Sequence, residues 1–537
     1  MVLENQGIIN ATSVDLRFAA TLVPFSEDTG GEVTIRLADR GFCTAPTDTP
    51  ASTCFEGRLL EPIRWSRRTG GSTYGGRSSF RSASLRFSLV DRALKIGANT
   101  YSPRTLFSRL ALDGRRVEVR AVFGEDFANG ITVFAGTAED WDVARTGEVE
   151  VTLRGIGYRL DTPMQPATYG GTGGLDGTPD LQGRRYPICL GDVFFIEPVP
   201  VIPGELLYDI HTDADGNGAP IFAVTRARIA GVDLTIDASF TTTAELRAAT
   251  LPVGTLGVCL PEGRCRLAVE PGATLTLDVQ GGVFGGVYEN LPGALMRVAA
   301  KYYGPRLTEA EMNLGSFRTV DSEAPWPCGI YLDANDNSTA ADVLDEAALA
   351  TEGSWGDSRD GLLEAFVVRA PGDVPALKFS EGQIVEDSFA FQRAPADVRP
   401  ALRQVTVEFA RNYTPNGDVA ASVSAEDRYR LETTWETSTA DQAVTEHAEA
   451  KTLRRSTILA TRAGADGLRD VLLALGRGTI RRAAFSANHK GLAARLGQTI
   501  SVTVPDEGYD GQTFRVTGID TAASTLGIRI EGVLSDG

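Results

Sequence analysis

The chain lacks the residue patterns on which most catalytic sites depend. Its 537 residues include only three histidines, His211, His447 and His489, and none of them belongs to an H-E-x-x-H run. Neither a G-x-S-x-G elbow nor a Cys-x-x-Cys pair occurs. Nucleophilic catalysis and zinc catalysis usually depend on such groupings. The sequence therefore predicts a protein that is not an enzyme.

Long apolar runs are also missing. No apolar stretch approaches the roughly 18 residues that a membrane-spanning helix needs. The N-terminal sequence MVLENQGIIN has no basic start followed by an apolar core, which a secretory signal requires. We expect no membrane anchor and no export by the general pathway, which argues against a secreted β-protein.

Cysteine is scarce, as is typical of a protein that folds in a reducing cytoplasm. The six cysteines are at positions 43, 54, 189, 259, 265 and 328. Cys259 and Cys265 flank a tight LPEGR turn, so a disulfide across a hairpin is one interpretation and buried free thiols are the other. Four cysteines can in principle hold an iron–sulfur cluster, but their spacing matches no known cluster motif. No cofactor is predicted, and an iron–sulfur cluster or calcium remains a minor alternative.

Positive charge is in deficit. The formal net charge is −18 and the pI is near 4.8. Nucleic-acid affinity needs clustered Lys and Arg, so this balance argues against it. An acidic surface can line a conduit past which DNA slides, or it can simply keep the protein soluble.

What the sequence does contain is repeated alternation of apolar and polar residues, which is typical of half-buried strands. Examples are the stretches 33–37, 85–89, 117–119, 149–153 and 500–504. The chain is also too long for one core. The predicted fold is mainly β and multidomain (β plus α+β), with two tube-like β-barrel domains and intervening β-rich and small α+β domains. The predicted domains are an N-terminal barrel (1–165), a Gly/Pro-rich connector with a β-rich domain (166–286), an α+β domain (287–380) and a C-terminal barrel with a helical insertion (381–537).

Helices are predicted at fewer places. Ser102 can cap a short helix that Pro103 opens. Apolar spacing predicts further helices at 243–249, 291–303, 338–352, 439–451 and 465–475. A strand at 405–409 is expected to pair with the C-terminal strands that begin near Ile500.

One basic segment interrupts the acidic chain between residues 62 and 90. It contains no acidic residue and six arginines, Arg64, Arg67, Arg68, Arg77, Arg81 and Arg86. Such a segment can dock on an acidic neighbour, for which Arg64, Arg67, Arg68, Arg77 and Arg81 are the candidates. The alternative is a solvated mobile loop.

Two short stretches have the alternating oxygen donors of a calcium loop. In DADGNG these are Asp213, Asp215 and Asn217, but Val224 stands where a bidentate Glu is needed. The stretch DANDN, with Asp333, Asn335 and Asn337, has the same alternation and the same defect. Asp, Asn and Gly are equally the ordinary residues of tight turns.

The C-terminal wording LGQTISVT (496–503) followed by DGQTFRVTGID (510–520) resembles the closing barrel of tail-tip or baseplate hub proteins of long-tailed bacteriophages. VFAGTAEDWDV (133–143) with the strand after it resembles the barrel that hubs share with tail-tube subunits. The segment from 169 to 193, YGGTGGLDGTPDLQGRRYPICLGDV, resembles tail proteins of alphaproteobacterial phages and prophages.

This resemblance implies a structural virion protein. A hub forms a homotrimeric ring that continues the tail tube, anchors distal tail components and leaves a channel for DNA. The implied partners are other copies of the chain, the distal tail ring, the tape measure and a central fibre or tip protein. DNA is met only in transit, and the host surface only indirectly. The implied location is the virion tail tip, after assembly in the host cytoplasm.

The competing hypothesis is a receptor-binding or polysaccharide-degrading tail protein. Its cleft is expected within residues 187–380, where Trp326 and Trp355 lie. Neighbouring carboxylates, Glu139 with Asp140 and Asp342 with Glu346, invite a glycosidase interpretation, although closeness in sequence does not place two carboxylates across a cleft.

Overall fold

The structure, a computed structural model, describes residues 14–70, 74–90, 93–144, 146–372, 374–393, 401–417, 419–445, 448–477, 480–522 and 527–535. Its secondary structure is mainly β, distributed over several sheets with helices between them. The predicted fold class, mainly β and multidomain, is confirmed.

Among its described residues, the N-terminal part of the chain contains one short α-helix between its strands. These elements are β1 (Leu16–Leu22), β2 (Phe25–Ser26), β3 (Gly31–Glu32), β4 (Ile35–Ala38), β5 (Phe42–Cys43), β6 (Cys54–Gly57), β7 (Leu59–Gly70), β8 (Tyr74–Ser88), β9 (Leu94–Ile96), β10 (Asn99–Tyr101), α1 (Pro103–Arg109), β11 (Leu110–Ala111), β12 (Arg116–Phe123), β13 (Asp126–Val143) and β14 (Glu148–Arg154). The Ser102 hydroxyl accepts the Thr105 amide at the start of α1, which confirms the predicted cap.

Strand pairings in this part run in a ring. β1 pairs with β12 on one side and β4 on the other, and the ladder continues from β12 through β13, β14 and β8 to β7. β4 pairs with β6, which runs on into β7 through Arg58, whose amide donates to the Ala38 carbonyl at 2.8 Å. Alternate residues such as Phe18, Phe87 and Val119 are buried inside this N-terminal ring. The period-two pattern therefore identified four of the strands in this ring correctly, β4, β8, β12 and β14.

The central part contains more, shorter elements. They are β15 (Ile188–Ile196), β16 (Val199–Ile202), β17 (Leu207–Asp209), β18 (Ile221–Ile229), β19 (Val232–Asp233), β20 (Thr235–Phe240), α2 (Thr243–Ala248), β21 (Thr255–Cys259), β22 (Arg264–Leu267), β23 (Leu275–Phe284), β24 (Val287–Tyr288), α3 (Pro292–Tyr302), α4 (Leu314–Glu323), β25 (Gly329–Leu332), α5 (Ala340–Leu349), β26 (Gly353–Asp357) and β27 (Leu363–Val367). α4 was not predicted.

Two sheets organise the central part. One has the order β19-β18-β23-β15-β25 with β24 attached to β23, and the other has the order β16-β17-β22-β21-β20. Because β15 pairs with β25, a sheet crosses the predicted boundary at residue 286. Helices α3, α4 and α5 pack on a separate core with Trp355. The domain limits remain predictions.

The last part of the chain contains β28 (Leu377–Ser380), β29 (Ala390–Arg393), β30 (Leu402–Phe409), α6 (Ala425–Glu432), β31 (Glu436–Asp441), β32 (Lys451–Ser456), α7 (Arg462–Leu475), β33 (Ile480–Ala487), β34 (Thr499–Val504), β35 (Tyr509–Ala522) and β36 (Gly527–Ser535). β28, β34, β35, β36, β33 and β29 pair in that order. The segment after β28 returns to β33, where Ile384 bridges Ala487 and the Val385 amide donates to the Ser486 carbonyl at 2.8 Å. We call these six strands the C-terminal ring.

Two predictions in this part are wrong. β30 pairs with β31 and β32 rather than with the C-terminal strands. The helix predicted from residue 439 is also wrong, because β31 occupies its start. Both errors have one cause: the inserted segment forms its own small sheet, on which α7 packs, and this sheet belongs to the central core. α7 itself was predicted correctly, whereas α6 was not.

The interpretation that paired Cys259 with Cys265 in a disulfide is wrong. In the β21–β22 hairpin, Cys259 lies opposite Arg264 and Val258 lies opposite Cys265, so the two thiols face opposite sides of the sheet. Both are free and buried, as are Cys189 and Cys328. The disulfide joins Cys43 and Cys54, which are directly opposite each other in β5 and β6.

Candidate assembly site at the basic hairpin

The basic segment forms the long β7–β8 hairpin, and this hairpin touches three parts of the molecule. One edge of β8 continues the N-terminal ring through β14. Further along, β8 pairs in parallel with β26 of the central part, with Ser354 opposite Gly76. The outer edge of β7 pairs antiparallel with β35 of the C-terminal ring, from Gly518 opposite Arg68 to Ala522 opposite Arg64. The hairpin therefore joins the two rings and the central part.

Arg68 binds the C-terminal ring through two carboxylates. Its guanidinium donates to Asp520 at 2.9 Å and to Glu531, while the Ser66 hydroxyl also donates to Asp520. Burial lowers the pKa of Arg68, but the hydrogen bonds and charges of Glu531 and Asp520 outweigh it, so the pKa is raised above its ordinary value. The Arg68 side chain is 36% exposed. Solvent therefore screens this cluster.

Arg67 points to the other face of β7 and binds the central part. It donates to Glu364 of β27 at 2.7 Å, and the two side chains are only 4% and 8% exposed. Arg495 approaches the same carboxylate at 3.9 Å and pairs with Asp360 at 2.8 Å. Burial, followed by the charge of Arg495, lowers the pKa of nearby Arg359 to about 10. Loss of either partner would leave the other charge buried and unpaired, which is strongly unfavourable.

Arg77 of β8 contacts a buried tryptophan. Its guanidinium lies 5.3 Å from the ring centroid of Trp355 and pairs with Asp161 at 2.7 Å. The Trp355 indole N–H donates to Asp345 at 2.7 Å, and burial raises the pKa of that carboxyl. A cavity of about 330 Å³ lies beside this contact and is lined by Arg77, Ser78, Arg154, Gly155, Gly157, Tyr158, Trp355, Gly356 and Asp357.

The other two arginines of the basic set are Arg64 and Arg81. Arg64 is exposed on β7. Arg81 lies opposite Ser66 in the ladder, and its side chain is outside what the structure describes. Acidic groups of this same chain thus meet Arg67, Arg68 and Arg77. Docking of the set on another protein stays a prediction.

The calcium-like turn uses its oxygens internally. Asp213 Oδ1 accepts the amides of Asp215 and Asn217 at 2.9 and 2.8 Å, and Asp215 pairs with Arg306. In the second stretch, Asp333 accepts the Asn335 amide at 2.6 Å and Asn337 accepts the Arg185 guanidinium at 3.1 Å.

Within the described ranges, no group of three or more His, Cys, Asp or Glu side chains is placed to hold a metal ion. Calcium binding at Asp213, Asp215 and Asn217 remains an untested prediction. The free thiols of Cys189, Cys259, Cys265 and Cys328 lie in three different cores.

The histidines occupy structural positions where they are described. His211 Nδ1 accepts the Cys189 amide at 3.1 Å, and its Nε2 lies 3.3 Å from the Tyr303 hydroxyl. Burial lowers the pKa of His211 to about 3, so the ring stays neutral. His489 is buried. His447 lies outside the described residues.

The two tryptophans of the competing hypothesis lie in packed surroundings. Trp355 is fully buried, and Trp326 packs against Gly464 and Gly467 of α7. Asp342 caps α5 through the Thr339 amide and hydroxyl, at 2.8 and 2.7 Å. A larger cavity, of about 440 Å³, lies elsewhere and is lined by Leu181, Arg184, Glu197, Pro198, Val199, Pro200, Tyr331, Asp333, Ala334, Asn335, Asp336, Arg411, Tyr413 and Thr414.

The carboxylates that complete the hairpin site were missed by sequence reasoning. Glu364 is 297 positions from Arg67, and Asp520 and Glu531 are 452 and 463 positions from Arg68. No local pattern links residues so far apart. The available signal was indirect: a basic segment in an acidic chain needs acidic partners.

Within the described ranges, no helix is both long and apolar enough to cross a lipid bilayer. No protein-family model matches the chain. No curated protein matches it either.

Solved structures provide the remaining comparisons. The tail protein from Neisseria meningitidis MC58 is 9% identical with a TM-score of 0.37, over 97% of this chain and 96% of that chain. The prophage MuSo2 43 kDa tail protein from Shewanella oneidensis is 9% identical with a TM-score of 0.35, over 90% and 95%. A chain of the virion of a native gene transfer agent particle is 13% identical with a TM-score of 0.37, over 66% and 85%. Two of these similar chains are tail proteins, and the third belongs to a virion.

Proposed function

We propose that this chain is a structural protein of a phage tail or a related particle, and specifically a hub at the tail tip or baseplate. In this proposal, three copies form a ring that continues the tail tube and surrounds a channel for DNA. Distal tail proteins attach to this ring. The protein is assembled in the host cytoplasm, resides in the virion and has no catalytic role.

The observation that carries the proposal is the pairing of the two ends of the chain. Each end forms a ring of strands, and the β7–β35 ladder joins the rings edge to edge. A tube subunit needs strands whose lateral contacts repeat around an axis. Two linked rings per chain supply two such units, so three chains provide six positions around the channel.

Buried ion pairs support a rigid mechanical role. Arg67 with Glu364 ties the hairpin to the central part, and Arg455 with Glu352 ties β32 to the turn after α5. Within the central sheets, Arg228 binds Asp278 and Arg264 binds Asp209. Breaking such a pair leaves an uncompensated buried charge, so each pair restricts its junction to one geometry. Fixed geometry suits a part that transmits contacts along a tail.

The net charge of −18 fits a channel that DNA crosses without binding. The same net charge predicts the charge of the partners' surfaces. We expect neighbouring tail proteins to present basic surfaces, and we expect no stable complex between the isolated chain and duplex DNA.

Native mass spectrometry of the full chain, combined with electron cryomicroscopy of assembled particles, tests the proposal. The expected result is a trimer in solution and threefold symmetry at this protein's position, with both rings of each chain facing a common axis. A protein that stays monomeric at high concentration and occupies no ring in the particle would contradict it.

For the alternative, a receptor-binding or polysaccharide-degrading protein, the placement of Trp326 and Trp355 offers no support. Incubating the full chain with host surface polysaccharide and measuring released reducing ends separates the two functions. Cleavage would favour the alternative, and an unchanged polysaccharide would favour the hub.

A further inference from the structure

The cysteines fall into two groups with opposite accessibility. Cys43 and Cys54 are exposed and disulfide-bonded across the β5–β6 hairpin. Cys189, Cys259, Cys265 and Cys328 are free and buried. Burial raises the pKa of Cys259 and of the other buried thiols, which disfavours the reactive thiolate. Thiol exchange with solvent molecules is therefore confined to one pair.

The hairpin that carries this pair covers the outer wall of the N-terminal ring. The rings of Phe42 and Phe55, which flank the cysteines, stack at 5.2 Å, and Phe55 lies 5.2 Å from Phe127. These side chains form a small core with three residues of the ring wall, Ala19, Ala38 and Val122. This core is separate from the one inside the ring. The hairpin thus shields apolar wall surface that the strands would otherwise expose.

Hydrogen bonds also hold the loop between the cysteines. The Thr44 amide donates to the Thr53 carbonyl at 2.8 Å, and the Thr53 amide donates to the Thr44 hydroxyl at 2.8 Å. That hydroxyl donates to the Pro50 carbonyl at 2.6 Å, and Asp48 accepts the Ala45 amide at 2.8 Å. Reduction therefore leaves the two thiols close together, which favours their reoxidation.

We propose that Cys43 and Cys54 form a reversible redox lock on this hairpin cover. In the reduced chain, the thiolate of one cysteine attacks a small-molecule disulfide such as oxidised glutathione and releases one glutathione thiol. The second cysteine then displaces the other glutathione and closes the protein disulfide. Two electrons pass from the protein to the glutathione disulfide, and the two cysteine protons end on the two released glutathione thiols.

The timing of the lock rests on the proposed function. During assembly in the reducing cytoplasm the pair is open, and once a particle leaves the cell the pair closes. The chemistry of the lock does not depend on that function.

The lock is tested on the folded full chain, equilibrated in glutathione buffers from fully reduced to fully oxidised. Acid quenching, alkylation and peptide mass spectrometry then report the state of each cysteine. The expected result is that Cys43 and Cys54 are both alkylated in reducing buffer and that both lose the alkyl label together as the buffer becomes oxidising. Their labelling in the reduced protein should be at least about tenfold faster than that of the four buried cysteines. Hydrogen exchange of residues 42–55 should be faster in the reduced form, while exchange in β12 stays unchanged.

The Cys43→Ser/Cys54→Ser variant is the matched control, because it is permanently open. It should exchange like the reduced wild type in both buffers. Each single variant should instead retain one glutathione as a mixed disulfide. The lock is contradicted if the folded wild type stays oxidised in excess reduced glutathione, if the buried cysteines label equally fast, or if residues 42–55 exchange at the same rate in both states.

Labelling of intracellular and released particles tests the timing separately. Open cysteines inside cells and closed cysteines after release are expected. A working lock in a chain that forms no particle would leave the redox proposal intact and remove only the hub function.

Discussion

Arg67 and Arg68 are neighbours on one strand, yet they hold different parts of the molecule in different ways. Arg67 meets Glu364 in a nearly dry contact with the central part, whereas Arg68 meets Asp520 and Glu531 at the half-exposed edge of the C-terminal ring. Because side chains alternate along a strand, two adjacent arginines reach opposite faces.

The comparison separates stability from orientation. Losing one partner of a buried pair costs much free energy, because the remaining charge is neither hydrated nor paired. A half-exposed pair is worth little in free energy but still favours one arrangement of the strands. The junction with the central part should therefore determine whether the chain folds, and the junction between the rings should determine how the rings lie relative to each other.

The largest effect is expected from Arg67→Met. The change leaves Glu364 without its main partner, so the free energy of unfolding should fall by about 3 kcal/mol. The loss stays near the lower end of the range for buried pairs because Arg495 remains 3.9 Å from Glu364. Urea denaturation followed by tryptophan fluorescence measures it.

The double variant Arg67→Met/Glu364→Leu is its control. It removes both charges and should recover at least half of the loss, as replacement of buried pairs by apolar residues often does. If the double variant is no more stable than the single one, the loss is due to packing of the arginine side chain rather than to charge.

The sequence could predict only part of this contrast. Features that depend on nearby residues were predictable, whereas contacts between distant parts of the chain were not. Period-two alternation identified β4, β8, β12 and β14 of the N-terminal ring and β34 of the C-terminal ring, because side-chain direction is a local property. The basic segment was recognised from the sequence because its charge pattern is also local. The partners were not predictable, because pairing of β7 with β35 brings Arg68 next to residues at the far end of the chain. The misassigned β30 has the same explanation: its alternation was correct, but alternation does not specify which strand lies beside it.

Asp321 sharpens the comparison, because its carboxylate is held by backbone amides instead of an arginine. Its Oδ1 accepts the amides of Gly293 and Ala294 at the start of α3, at 2.7 and 3.3 Å. Burial raises the pKa of Asp321 to about 6, the two amides lower it, and Glu289 and Arg297 act in opposite directions.

The folded state therefore binds this proton more tightly than the unfolded chain. The resulting stability is fully present below the unfolded pKa and is lost as pH rises through about 6. Asp321→Asn should reduce the stability difference between about pH 4.5 and pH 7 by about 1–2 kcal/mol relative to wild type, after allowance for solvent exposure. Urea titrations of both proteins at the two pH values measure it, and equal pH dependence would contradict the assignment.

A third case lies between the two arginines. The guanidinium of Arg77 lies over the buried ring of Trp355, and one of its nitrogens also pairs with exposed Asp161. Arg77→Ala should cost about 1 kcal/mol, most of it from the contact with the ring. Arg77→Lys, which keeps the charge but not the planar group, should recover only part of the loss. Full recovery by lysine would show that the ion pair with Asp161 dominates. Thermal unfolding of the two variants decides between them.

The smallest effect on stability is expected from Arg68→Ala, at about 0.5–1 kcal/mol, because its partners are screened by solvent. Raising the salt concentration should shrink even this difference, since the Debye length falls from about 10 Å at 0.1 M to about 3 Å at 1 M.

The Arg68→Ala variant should nevertheless change the contact between the rings. Hydrogen exchange in 518–522 and 64–68 should rise while exchange at Glu364 and its neighbours stays at the wild-type level. If Arg68→Ala destabilised the protein as much as Arg67→Met, the distinction between a stabilising junction and an orienting one would be wrong. Both arginines would then belong to a single cooperative contact.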